Sequence, residues 1–505
     1  MATSSDTKRP QSIRAEFDST FDATASGGAA LAEKTLRALG VQRYLKTCLP
    51  ARSAKAQYSM PDAVWGLLGG LLLGGRGIQA GECLREDPLL AEIFGLSQGV
   101  ASPATLYRVL GELSGLEPLR RADCYAPTAP ARPALDMFGA ERRAPALRRI
   151  VPETAEAASA ERLAELDTLT SHFALRCVRA LKVQTLRMHG WYVCFGDGTD
   201  LEVEGNCFDA ARVNYKGRKV LRWQTVMLGP VTVAQRLAEG DTDEGLAMPQ
   251  LLERAQQVVR QVAGRRGRVL GLFDAAYFER QVVDALTFEH QWDWIVCANQ
   301  QRGALQRLAE DQPELIWHDS GPDARRGWES SQTGCFLHRP EGWAAPVTIV
   351  ARRWRETGEL PGMWHYSFIG TRMAEKRLPQ RLLEKHGYCE TLWMLYSTKQ
   401  GHENHYKTLL RDFGLHHPPS CRLGVNQAFY TIATLAANVA MELRYRVVDE
   451  EDSGIAFWRL RERYFRIAGQ LARGARCLTV RLSGLCVDAR RQVLWREAFA
   501  TAGSL

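Results

Sequence analysis

The stretch Tyr396-Ser-Thr-Lys399-Gln-Gly-His-Glu403-Asn-His-Tyr-Lys407-Thr-Leu-Leu-Arg411 sets one carboxylate among several cations and a tyrosine. At helical spacing Tyr396, Lys399, Gln400, Glu403, Lys407 and Arg411 fall on one stripe, because residues three and four apart share a face. Leu395, Leu409, Leu410 and Phe413 fall on the opposite side, where burial suits them. A carboxylate takes a hard cation and ammonium or guanidinium takes phosphate oxygens, so the stripe suits a metal and a phosphodiester held together. The plainer alternative is an exposed helix whose Glu403–Lys407 spacing adds modest ion-pair support.

Two upstream aspartates favour the first reading. The apolar run 191–196 ends at Asp197-Gly198-Thr199-Asp200, and the run 268–273 ends at Asp274-Ala-Ala-Tyr277-Phe278. Each places an aspartate at the C-terminal end of a short buried strand, where α/β sheets assemble their sites. Two carboxylates from adjacent strands and one from a helix can hold two Mg²⁺ ions roughly 3.5–4 Å apart, with Mn²⁺ able to substitute. Such a pair activates water on one side of a phosphodiester and stabilises the leaving oxygen on the other, without a covalent nucleophile. A haloacid-dehalogenase-like phosphatase also uses strand-end aspartates, but it wants Asp-x-Asp with hydroxyl and lysine motifs. Here the segment reads Asp197-Gly198-Thr199.

The elements that must position these groups are read from periodicity. A long helix over 153–189 precedes the first strand, and Leu201-Glu-Val-Glu is a candidate edge strand. A basic turn at 216–219, a strand over 222–228, an amphipathic helix over 243–263 and a strand over 292–298 follow. Residues 299–372 change character: turn clusters separate strand-like runs at 347–354 and 364–369, and five tryptophans crowd in beside Arg352, Arg353 and Arg355. This predicts a mostly β insertion, its tryptophans serving as a small core or, among arginines, as stacking surfaces for bases.

Upstream, 29–49 is helical, and Met60-Pro61-Asp62 opens a glycine-rich helix. Residues 83–95 read as one short helix, and Ser102-Pro103 caps another that presents Ser102, Thr105, Tyr107 and Arg108 near its start. Helix, turn and helix in this order suit a helix-turn-helix reader of DNA. The expected organisation is a disordered arm over 1–28, a helical DNA-binding domain over 29–117, a Pro/Ala/Arg-rich linker over 118–152, and the first part of the catalytic core over 153–298. The β insertion (299–372), the second part of the core with the Glu403 helix (373–440) and an Arg-rich helical region (441–505) complete it.

At 505 residues, with 45% hydrophobic and 24% charged residues, the composition is that of a globular chain of two or three domains. A net charge of +8 leans towards polyanions. Twelve cysteines, none in a C-x-x-C pair, read as reduced thiols and exclude a structural zinc motif. The start has no apolar core of a signal peptide, and the run 63–73 is too short and glycine-rich to cross a bilayer, so the expected setting is cytoplasmic, without membrane partners.

The ordered series Phe195-Gly-Asp197-Gly-Thr199, Phe273-Asp274-Ala-Ala-Tyr277-Phe278 and Tyr396-x-x-Lys399-x-x-x-Glu403 resembles the Asp-Asp-Glu transposases of bacterial insertion sequences. It is similar to the branch whose third motif is Tyr-x-x-Arg-x-x-x-Glu and whose core carries a β insertion. Tyr58-Ser-Met-Pro-Asp62, Leu84-Arg-Glu-Asp-Pro88 and Ala101–Arg108 resemble that branch's N-terminal region; Asn426, Leu435-Ala-Ala-Asn438 and Arg459-Leu-Arg-Glu-Arg463 resemble its closing helices. The resemblance implies an α/β, RNase H-like core with Asp197, Asp274 and Glu403 as catalytic metal ligands. Tyr396, Lys399, Lys407 and Arg411 would contact phosphates at DNA ends. It further implies terminal inverted repeats and target DNA as partners, a homodimer in the DNA complex, cut-and-paste transposition, and a nucleoid-associated location. Two departures stand out: Lys399 replaces the motif's arginine, losing its planar fork, and the basic residue usually seven beyond the glutamate is Leu410. The other readings are a transposase-derived DNA-binding protein that no longer cuts, and a phosphatase-type hydrolase.

Overall fold

The structure is a computed structural model that describes residues 22–96, 98–115, 125–127, 147–149, 160–204, 208–214, 216–475, 477–485 and 487–504. Residues 1–21 of the expected arm and most of the expected linker lie outside these. The rest of the arm differs from expectation: Ala23–Thr24 pairs antiparallel with a strand at Gly469–Arg473, near the other end of the chain. Within the linker stretch Tyr125–Pro127 and Leu147–Arg149 pair as a two-stranded ribbon.

The N-terminal helices follow their caps. Helix α1, Met60–Leu73, starts at Ser59, whose hydroxyl accepts from the Asp62 amide. The single helix expected over 83–95 is two, Glu82–Glu86 and Pro88–Ile93, because Asp87 breaks the first and caps the second through the Leu89 and Leu90 amides. Helix α2, Pro103–Leu113, is capped by Ser102 as its sequence predicts. Helix α3, Ala160–Ala180, stops nine residues before the end expected for it; a short helix at Val183–Leu186 and a strand at Arg187–Met188 take up the remainder.

An eleven-stranded sheet forms the centre. Its main strands are β1 (Trp191–Glu202), β2 (Lys219–Leu228), β3 (Val231–Glu239), β4 (Val269–Phe273) and β5 (Asp293–Cys297). They lie in the order β3-β2-β1-β4-β5, with β1, β4 and β5 parallel and β2 antiparallel to both of its neighbours. Helix α4, Glu244–Ala263, connects β3 to β4 and is capped by Asp243. The β insertion is not a separate body. It contains a helix at Arg302–Glu310, and its strands β6 (Trp328–His338), β7 (Val347–Glu356) and β8 (His365–Thr371) extend the same sheet, because β8 pairs antiparallel with β5.

The strands alternate between two cores, as strands covered on both faces must. Val193, Leu270, Leu272 and Ile295 face helix α5 (Gln380–Ser397) with Leu392 and Leu395. Tyr192, Cys194, Val269 and Phe273 face the other side, which α3, α4 and helix α7 (Leu423–Glu442) cover. Between α5 and α7 runs α6, Lys399–Asp412.

Helix α7 is buried on all sides, packing against α1, α2, α3 and β3 together. Its polar residues find partners on the edge strand. Asn438 accepts from the Thr232 amide at 3.0 Å and donates to its carbonyl at 2.9 Å, while Gln427 accepts from the Leu237 amide at 2.8 Å. The side-chain amides thereby satisfy backbone that the sheet edge would leave open. The expected N-terminal helical domain thus shares one continuous core with the sheet. The expected helical C-terminal region contains an antiparallel hairpin, Gly469–Arg473 with Leu478–Leu482, before its last helix at Ala489–Ala502. Among the described residues no helix is long and apolar enough to cross a membrane.

Candidate functional site

Strands β1 and β4 pair in parallel register as far as Gly196 and Phe273, and the next residue on each is an aspartate. Asp197 and Asp274 therefore lie side by side. Asp274 ends its strand, as expected, and its carboxylate accepts from the Ala275 amide at 2.8 Å. Asp197 does not end its strand: β1 runs on for five more residues, in register with β2 from Asp197↔Thr225 to Glu202↔Val220. Asp197-Gly-Thr-Asp200 has a turn's composition, but a long partner strand overrides it. Of Leu201-Glu-Val-Glu, expected as a separate edge strand, Leu201 and Glu202 continue β1 and the other two residues lie beyond its end.

Gly196 and Gly198 make this placement possible. A β-carbon on Gly196 would come within 2.1 Å of the Phe273 ring, and one on Gly198 within 2.8 Å of both Glu244 Oε2 and the Tyr277 hydroxyl. The chain beside Asp197 is packed too closely for any side chain.

The stripe on 396–411 is built differently from a single helix. Helix α5 ends at Ser397 and α6 begins at Lys399, with Thr398 in a tightened turn between them. The Ser397 and Thr398 hydroxyls donate to the Met394 and Leu395 carbonyls, at 2.7 and 2.6 Å, and bind the turn. The backbone stays right-handed, so Tyr396, Lys399, Gln400, Glu403 and Lys407 still face one way. They line a cleft of about 500 Å³ with Asp197, Thr199 and Asp274. Leu395, Leu409 and Phe413 are buried behind it, whereas Leu410, expected among them, lines the cleft. Arg411 is exposed and is not part of that lining.

Within the cleft each group has a definite partner. Lys399 Nζ donates to Asp197 Oδ2 at 3.2 Å, with the two side chains only 10% and 15% exposed. Burial pushes the Asp197 carboxyl above its ordinary range; the Lys399 ammonium opposes this, and the neighbouring Asp274 adds to it. Glu403 and Lys407 stand 3.9 Å apart on the exposed side of α6, a pair worth little by itself. The Tyr396 hydroxyl donates at 3.4 Å to the Phe273 carbonyl, so it braces α5 against the residue before Asp274.

Three residues that the sequence did not tie to this site complete its lining. Arg326 and Arg352 add positive charge, and Tyr406 forms a buried floor with its ring against Trp223. Arg352 is held by Glu390 at 2.7 Å and lies over the Trp393 ring. Arg352 was visible in the sequence as one of an arginine cluster, but nothing there tied it to Glu403. Behind the aspartates, Arg222 pairs with Asp200 at 3.0 Å and with Glu244 at 3.3 Å, fixing the continued part of β1. Of the five insertion tryptophans, Trp343 is buried against Phe278. Trp328 stacks on Trp354, and Arg353 lies over both Trp317 and Trp364.

In α2, Ser102 and Thr105 are engaged with each other, their hydroxyl oxygens 3.1 Å apart at the cap. Tyr107 leans towards Ser420, and Arg108 is exposed.

The donor set suits a hard divalent cation. It consists of oxygens alone, with two carboxylates side by side and a third across the cleft. Among the described residues no three acids stand close enough to hold an ion as placed. The Lys399 ammonium supplies the positive charge the paired aspartates demand.

The sequence family described as Transposase DDE domain group 1 matches residues 228–500, a span that contains Asp274 and Glu403 and begins after Asp197. Among solved structures, the chain is similar to a piggyBac transposase in a synaptic complex with hairpin DNA, determined by cryo-electron microscopy. The identity is 10%, the match covers 86% of this chain and 76% of that one, and the TM-score is 0.35. No curated protein matches.

Proposed function

The chain belongs to the Transposase DDE domain group 1 family, and from that premise we propose that it cuts and joins DNA at the ends of a mobile element. The observation that carries the reading is the convergence of Asp197, Asp274, Glu403 and Lys399 on one cleft from β1, β4 and α6. The order β3-β2-β1-β4-β5, with β2 reversed, supports an RNase H-like core.

On this reading Asp197, Asp274 and Glu403 hold two Mg²⁺ or Mn²⁺ ions. Held there, the ions would make water, or the 3′-hydroxyl of an already cut DNA end, nucleophilic at neutral pH and would stabilise charge on the leaving oxygen. The chain's own residues do the rest. The four cations of the cleft, Arg326, Arg352, Lys399 and Lys407, outnumber its three carboxylates and draw in the phosphodiester. Tyr396 fixes the backbone leading to Asp274, and the Arg222 pairs fix that beyond Asp197, so the aspartates need little rearrangement. Arg108 on α2 and Arg411 on α6 are exposed, in keeping with contacts to the terminal repeat away from the scissile bond. Cutting two ends in one event calls for two protomers bridging two duplexes, in a cut-and-paste reaction on terminal inverted repeats and target DNA.

The test is replacement of the acids. Asp197→Asn, Asp274→Asn and Glu403→Gln each abolish Mg²⁺-dependent cleavage of the element's ends while gel-shift binding persists. Loss of one ligand costs several kcal/mol of transition-state stabilisation, so cleavage by Glu403→Gln within about tenfold of wild type removes that residue from the site. Persistent binding by a wild-type chain that never cuts would favour a DNA-binding role instead.

A further inference from the structure

Two of the cleft's carboxylates are partnered from within. Helix α6 carries Glu403, and it also carries Lys399 and Lys407, which lie against Asp197 and Glu403. The stronger of these contacts is the buried one: Lys399, the first residue of α6, spends its ammonium on Asp197. A dication arriving alone must enter beside that ammonium, and like charges in a partly buried space repel. A phosphate arriving alone finds Lys399 already engaged.

Arriving together they solve each other's problem. The ammonium turns to phosphate oxygens, Asp197 turns to the metal, and every charge keeps a partner. A compact ammonium on a flexible stem makes such a change of partner easily, whereas a guanidinium held as a planar fork resists it.

Resting on the metal-dependent reading above, we propose that Lys399 is an internal counter-ion that blocks metal loading of Asp197 until a DNA phosphate draws it away. Metal and DNA then fill the cleft cooperatively. By linkage, whatever factor DNA adds to metal affinity, metal adds to DNA affinity. The device keeps a loaded metal site from forming in the absence of the substrate it cuts.

The experiment measures Mn²⁺ binding to the full chain, by the spin-resonance signal of free Mn²⁺, with and without a short duplex of arbitrary sequence. Ionic strength is low and fixed, and Mn²⁺ held by the duplex alone is subtracted. In the wild type the duplex raises Mn²⁺ affinity by about tenfold or more. Lys399→Met raises the DNA-free affinity by a comparable factor and flattens the response to duplex. Lys399→Arg keeps the ion pair and the low DNA-free affinity but responds less to duplex, because the guanidinium gives up Asp197 less readily, and matching thermal melts of both variants and the wild type show that the fold is intact. Lys399→Met with a DNA-free affinity within about twofold of wild type overturns the proposal. So does a wild type whose Mn²⁺ affinity ignores a duplex that demonstrably binds; in both cases the metal site itself survives. If no variant binds Mn²⁺ in either condition, the metal reading falls and takes this inference with it.

Discussion

Asp197 pays for its position in charge. Burial disfavours its ionised form, and although Lys399 opposes this and Asp274 reinforces it, the net direction is upward. The sign for stability follows from linkage. A carboxyl whose folded-state pKa is raised binds its proton more tightly in the fold than in the unfolded chain, so stability falls as pH rises from the ordinary carboxylate range through the folded value. Above that value the full destabilisation remains. Asp197→Asn, isosteric and uncharged, therefore raises the melting temperature at neutral pH, and the gain shrinks as the pH is lowered into the carboxylate range. Thermal melts across pH on the metal-free chain check this; a gain that is flat with pH, or a loss at neutral pH, contradicts it. Residue type was legible in the sequence here, since Asp197, Asp274 and Glu403 all line one cleft. Partners were not. Nothing in the spacing tells that Lys399 reaches Asp197 across 202 positions, or that Tyr396 bonds the Phe273 carbonyl.

At the scale of elements, the instructive failure is β1. The sequence Phe195-Gly-Asp-Gly-Thr-Asp200 has the glycines and aspartates of a turn, yet the strand passes straight through it. Both glycines are there for close approach: Gly196 admits the Phe273 ring, and Gly198 admits Glu244 and Tyr277. Local composition reports what a residue lacks, and only the packed neighbours show why. Gly196→Ala should then destabilise the chain by about 1–3 kcal/mol, as overpacking of a tight core does. Because Phe273 immediately precedes Asp274, the substitution should also slow cleavage more than it weakens DNA binding. Urea unfolding and paired binding and cleavage assays read the two effects; an alanine variant as stable as wild type shows that the ring moves aside freely. The insertion was legible for a related reason. Its alternating runs and turn clusters announce strands, but strand-forming residues do not say which edge they join, and β8 joins β5. The cap residues Ser59, Ser102 and Asp243 were more dependable, because a helix cap is satisfied within a few residues of itself.

At the scale of the whole molecule, the expected sequence of separate modules gives way to one core closed around α7. Two segments far apart in sequence also meet, Ala23–Thr24 pairing with the strand Gly469–Arg473. The residue that binds the parts most directly is Arg461, which the sequence shows within Arg459-Leu-Arg-Glu-Arg463 but without any sign of what it joins. It is 6% exposed, and its guanidinium donates to the Leu72 and Leu71 carbonyls at 2.7 and 2.9 Å and to the Asp412 carbonyl at 2.8 Å. Those carbonyls end α1 and α6, where a cation is favoured by the helix dipole as well as by the bonds. Phe413 and Phe457 cover its faces. Burial brings its pKa down to about 10, which leaves it charged at neutral pH. One side chain thus joins a central helix of the N-terminal block, the helix that carries Glu403, and the C-terminal segment. Arg461→Ala leaves three buried carbonyls without that donor, and the expected cost is about 3 kcal/mol or more in unfolding free energy. Below its melting temperature the variant should bind end DNA with near wild-type affinity but cleave it slowly, because α6 is no longer registered against α1. Arg461→Lys, with the charge but without the fork, should recover part of the stability and little of the cleavage rate. If Arg461→Ala loses stability while a folded sample cuts at the wild-type rate, the arginine holds the molecule together without setting the position of Glu403.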